Sequence, residues 1–206
     1  MKKMKKLNLF ICAAAAAFAL QACNSSNKSS TEMAKDSNAN KDTSAMTSSM
    51  DTTANVAGGV MKVDKDDADF AVEAANGGMA EVAMGKLAEQ KAMSQSVKDF
   101  GAKMVKDHSM INDKMKALAK EKNITLPDSV GNDAKQSMMD LSKKSGKDFD
   151  KAYVDAMVKD HDHDVNAFEK EIKNAKDPAV KSFAENALPT LKEHQSMIKS
   201  IQSKMK

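Results

Sequence analysis

Four residues of this chain combine reactive chemistry with a telling position: Glu81, His108, His161 and His194. Each falls in the apolar stripe of a separate segment of helical period, near its middle. Polar groups at core positions must be hydrogen-bonded or hold a ligand, because burying them bare costs roughly 2–7 kcal/mol. If the segments pack as one bundle, the four side chains converge in one interior layer. Three neutral imidazoles and a carboxylate form a donor set suited to one transition metal ion, whether zinc, iron, manganese or copper. Asp107, Asp160 and Asp164 lie close in sequence to two of the histidines and are candidates for orienting them from behind. The rival reading is a buried polar network, in which glutamate and histidine bond each other and lock one helix register.

Other chemistry is sparse. Cys12 lies in the leading apolar segment, so thiol catalysis would fall to Cys23 alone. No glycine-rich phosphate loop precedes a helix, and no HExxH word occurs. Ser109 sits beside His108 on a helix and so points elsewhere, which argues against a serine nucleophile. His163 lies off the apolar face, in the run Lys159-Asp160-His161-Asp162-His163-Asp164, and reads as solvated. No catalytic residue is assigned.

The elements that must position the layer follow from spacing. Phe70, Ala74, Gly77, Glu81, Met84 and Ala88 recur every three or four residues, as do Val97, Gly101, Met104, His108, Ile111, Met115 and Leu118. Val154, Met157, His161, Val165, Phe168 and Ile172 mark a third helix, and Val180, Ala184, Ala187, Leu191, His194, Ile198 and Ile201 a fourth. Asp66 and Asp67 place negative charge at the start of the first. Ser94 is the expected N-cap of the second, and Asp177-Pro178 supplies cap and first-turn proline for the last. Pro189 removes a backbone donor about one turn before His194. Short turns imply two antiparallel hairpins. A connector over 122–147, with a shorter helix around Asp133 to Lys144, permits either a long crossover or a simple up-down order.

The start of the chain reads as an address. Lys2, Lys3, Lys5 and Lys6 precede an apolar run from Leu7 to Leu20, too short to span a bilayer comfortably. The word Leu20-Gln21-Ala22-Cys23 resembles the lipobox of bacterial lipoproteins, which implies cleavage after residue 22 and a lipid on Cys23. The protein is then exported and anchored in the cell envelope by that lipid. With no aspartate after Cys23, the outer membrane is favoured, facing the periplasm or the surface. Without those four lysines, the 32 basic residues become 28 against 29 acidic, a net charge of −1. Every basic residue is lysine and only one tyrosine is present, a composition that argues against nucleic-acid recognition. Residues 23–65 are polar and free of aromatic residues, which predicts a flexible tether with a reach of roughly 35 Å.

Residues 66–206 resemble an exported bacterial family, domain of unknown function 4142, in the ferritin-like superfamily. The resemblance rests on the stretch Phe70 to Glu81, on Met104-Val105-Lys106-Asp107-His108, on Tyr153 to His161 and on Leu188 to His194. It implies an all-α, ferritin-like four-helix bundle with a short extra helix in the connector between helices two and three, and no established activity. A diiron centre would need a carboxylate three residues before a histidine on two helices. Val105, Val158 and Leu191 stand at those places, so one metal fits better than two. The expected function is therefore a binding or stress-protective envelope protein with a metal in its core. The alternatives are a structural or interaction module, and a metal-dependent oxidoreductase.

Overall fold

The computed structural model describes residues 28–46 and 63–205; residues 1–27, with the expected signal segment and Cys23, residues 47–62 and residue 206 lie outside them. Six helices make up the described chain: α1 Ser30–Met46, α2 Lys65–Lys91, α3 Gln95–Glu121, α4 Asn132–Ser142, α5 Gly146–Asn174 and α6 Pro178–Ser203. No strand occurs among the described residues, and none of these helices is long and apolar enough to cross a membrane.

Four of them form the bundle. α2 lies against α3 and α5, and α6 lies against α5 and α3, so α2 faces α6 across a diagonal. Contacts at the ends fix the directions. The carboxylate of Asp67, at the start of α2, accepts from the backbone N–H groups of Lys176 and Asp177 in the α5–α6 turn. At the opposite end Asp150, near the start of α5, accepts from Met93 and Ser94 in the α2–α3 turn. The two hairpin turns therefore lie at opposite ends, and the chain must travel the bundle's length between α3 and α5. The connectivity is one long crossover, as in ferritin-like folds, with α4 lying along α2 and α5 on the way.

Local chemistry sets the boundaries. Asp64 caps α2 by accepting from Asp66 N–H at 2.9 Å, and Asp177 caps α6 by accepting from Ala179 and Val180. Ser94 occupies the N-cap of α3 but makes no cap bond; its hydroxyl meets Ser96, and Asp150 takes the backbone donors of the turn instead. α3 ends with Asn123 in the left-handed region (φ 53°) and Ile124 N–H returning to the Ala119 carbonyl, a Schellman-type stop. α6 runs on through Pro189.

Two expectations need correction. Part of the predicted tether is a helix, α1, packed on the bundle. Ser29 and Glu32 form a capping box there, Glu32 accepting from Ser29 N–H at 2.7 Å and Ser29 accepting from Glu32 N–H at 3.2 Å. The helix docks by polar contacts: Asn38 brackets the backbone of Thr125, Lys41 donates to Asn123 O, and Lys35 pairs with Glu73 at 2.6 Å. A composition too polar to form a core can still order by satisfying a connector's backbone. In the first half of α2, Ala71, Ala75 and Gly78 are buried, while Phe70, Ala74 and Gly77 are only half-buried. The core face there is turned by one residue, because small side chains let the helix pack close to its neighbours. At Gly78 a Cβ would meet the Asn112 side chain at 2.1 Å. At Gly85 and Gly101 it would meet the facing helix backbone at 2.7–2.8 Å. These three glycines bring α2 and α3 together.

Candidate metal centre

The bundle has two apolar clusters rather than one. Toward the Asp67 end, Met115, Val165, Phe168, Val180 and Leu191 pack together; toward the Asp150 end, Phe100, Met104, Phe149, Tyr153 and Ile198 do so. The predicted polar residues are buried with them: Glu81 and His108 are 2% exposed, His161 and His194 fully buried. Spacings of three and four place each on the interior face of its own helix, so α2, α3, α5 and α6 contribute one residue each.

The three imidazoles converge. Their ring centroids lie 5.3–5.8 Å apart, and one nitrogen from each ring lies within 4.8 Å of the other two. In each ring one nitrogen has a partner. His161 Nδ1 donates to the Met157 carbonyl, one turn back, at 3.0 Å. His194 Nε2 meets Asp107 Oδ2 at 2.9 Å, and Asp107 also pairs with Lys103 at 3.0 Å. His108 Nδ1 lies 2.8 Å from Glu81 Oε2. What remains is His108 Nε2, His161 Nε2 and His194 Nδ1, all buried with no hydrogen-bond partner. Phe100 packs edge-on against His161 and His194, closing the layer on the Asp150 side.

Among the described residues, the three histidines group as a metal-ligand set, and Glu81 stands beside them. Its Oε1 is 3.5 Å from His161 Nε2 and accepts from no donor. Asp107 buttresses His194 on another helix rather than His108, its neighbour in sequence. Asp160 and Asp164 do not reach the histidines. They act on Glu81 instead, Asp160 by raising its pKa through its charge and Asp164 by lowering it. His163 is exposed. Sequence reasoning missed the Met157 carbonyl and Asn112, whose Oδ1 is buried without a partner. It missed Tyr153 as well, whose buried hydroxyl has no partner either. A carbonyl has no residue-type signal, while the apolar stripe between Val154 and Phe149 could have flagged the tyrosine.

Burial dominates the electrostatics. It pushes His108 and His194 down to about 4 and His161 down to about 3, so all three are neutral near pH 7. Neutral imidazole is the form that ligates metals. Glu81 is raised well above the carboxylate range, by burial and then by Asp160. Asp164 is raised likewise, by burial and then by Glu81. Asp107 goes the other way: burial pushes it up, but the bonds from His194 and Lys103 outweigh that and hold it low.

Comparison with curated proteins and with solved structures gives no match. A family model does match, over residues 52–201, well beyond half of the chain and including all four residues of the layer. The chain belongs to the family described as domain of unknown function (DUF4142).

Proposed function

We propose that this is an exported, lipid-anchored envelope protein that binds one transition metal ion in its bundle core, in a binding or stress-protective role. His108, His161 and His194 are the nitrogen ligands, and Glu81, whose burial favours the protonated form, supplies charge beside them once a cation displaces that proton. One observation carries the reading: three neutral ring nitrogens, on three helices, are buried together with no partner, while the opposite nitrogen of each ring has one. A carboxylate or carbonyl behind a histidine is the usual support of a metal-bound imidazole. The donor set suits zinc, iron, manganese or copper. Export and anchoring rest on the Leu20 to Cys23 word and on the polar stretch after it.

The second reading is a structural layer. It is favoured by the Glu81–His108 contact, which ties α2 to α3, and by the Asp107–His194 contact, which ties α3 to α6. Elemental analysis of the protein, purified without a histidine tag or chelating resin, separates the two. The metal reading expects near one equivalent of a single transition metal, lost in His161→Leu. Metal-free protein that gains no thermal stability from added zinc, iron, manganese or copper would leave only the structural reading. Turnover with peroxide or dioxygen, lost in the same variant, would make it an oxidoreductase.

A further inference from the structure

A cavity of about 360 Å³ opens between α2, α4 and α5, on the face that the crossover covers. Its walls carry Asp133, Asp160 and Asp164, together with Glu73, which Lys35 pairs, against Lys159 and His163, and Glu81 also lines it. Glu81 is nonetheless 2% exposed, and its Oε1 accepts from no donor. The cavity therefore brings these acids together with a buried carboxylate whose Oε1 lies 3.5 Å from His161 Nε2. At ~30 Å³ per water, it has room for roughly a dozen water molecules, enough for a cation that keeps its hydration shell. Carboxylates along the walls favour cations over anions there.

The opposite face offers less. A larger groove of about 740 Å³ between α3 and α6 reaches Asp107 and is lined by Glu121 and Glu193 as well as by Lys103 and Lys114. Asp107 is already engaged by His194 and Lys103. Nothing on that side presents a free acceptor next to the imidazoles.

We propose that the α2–α4–α5 cavity is the entrance through which a hydrated divalent cation reaches the histidine cluster, with Asp160 and Asp164 lining its path to Glu81. The proposal rests on the metal-binding reading above and adds the route to it. It also gives Gly77 a role distinct from that of Gly78. Gly77 lines the cavity, and a Cβ placed on it meets nothing within 4 Å. A side chain there would start in open space and take up part of the cavity.

The test is stopped-flow uptake of cobalt(II), followed by its absorbance, in the wild-type protein, in Gly77→Leu, and in Asp133→Asn with Asp160→Asn. In Gly77→Leu we expect uptake and chelator-driven release to slow by tenfold or more, with the same final stoichiometry. In the double variant uptake slows, and its dependence on ionic strength, steep in the wild type, flattens. Wild-type rates in both variants would overturn the entrance while leaving the metal site intact, and would point to the α3–α6 groove. Wild-type protein that takes up no cobalt would overturn the site and its entrance together. If Gly77→Leu binds less cobalt at an unchanged rate, the cavity is part of the site rather than the way in, and the proposal fails.

Discussion

At the two ends of the bundle, carboxylates are buried as deeply as at its middle. Asp67 is 1% exposed and Asp150 3%, against 2% for Glu81. The end carboxylates receive what a buried anion needs: each accepts from two backbone N–H groups of a hairpin turn at 2.6–3.1 Å. The middle layer is left incomplete, with one oxygen and three nitrogens unpartnered. Full satisfaction is the mark of a residue that serves the fold, because the alternative is a stability cost with no return. A cluster of good donors without partners, each held in place from behind, is the mark of a residue that serves a ligand.

That contrast can be broken by mutation. The largest effect belongs to the ends: Asp67→Ala and Asp150→Ala each strand two backbone donors, and should cost about 2–4 kcal/mol. The check is the midpoint of urea unfolding at constant slope, and the loss should be the same with and without metal. Next, a metal present at one hundred times its Kd should stabilise the wild type by about 2.7 kcal/mol and His161→Leu not at all. Without metal, His161→Leu should be near neutral, since it removes an unsatisfied nitrogen. Equal losses with and without metal would erase the distinction between middle and ends.

Acid should sharpen the same comparison. The three histidines have folded pKa values of about 3 to 4, below their unfolded value of 6.5. Between those limits the unfolded chain binds more protons, so metal-free stability should fall as pH drops from 6.5 toward 4. Glu171, beside Asp67, has the opposite sign: burial and then Asp67 raise it to about 7. Its contribution is present below pH 4.5 and lost as pH rises through 7. The two windows overlap with opposite signs, so in thermal melts across pH 4–8 Glu171→Gln should make the loss of stability toward acid steeper between pH 7 and 4.5. The smallest effect should come from Ser94→Ala, within about 0.5 kcal/mol, because the hydroxyl makes no cap bond and Asp150 serves that turn.

The layer was legible in the sequence because helical period assigns a residue to the interior whether or not it is apolar. His108, His161 and His194 kept the period of their Val, Met and Leu neighbours, so their burial could be read directly. The first half of α2 could not be read so well. In a stretch rich in alanine and glycine every face is small, and the choice between the Phe70 and Ala71 faces depended on neighbours not yet known. The end clamps were illegible for a different reason, since a carboxylate that accepts from a backbone N–H 110 residues away leaves no pattern in side-chain types. The crossover was hidden in those same contacts. α1 did carry a signal in Ser29-Ser30-Thr31-Glu32, but no apolar stripe followed it to draw attention.

The crossover also divides the layer by hairpin. Glu81 and His108 belong to the first hairpin, His161 and His194 to the second, and neither alone offers three nitrogens. Contacts within a hairpin are local and form early, whereas docking must close loops of 56 to 110 residues and comes late. An ion held across that seam would not hasten the formation of either hairpin. It would slow their parting, so the bound ion would act as a reversible staple between two halves that otherwise meet through packing and a few buried carboxylates.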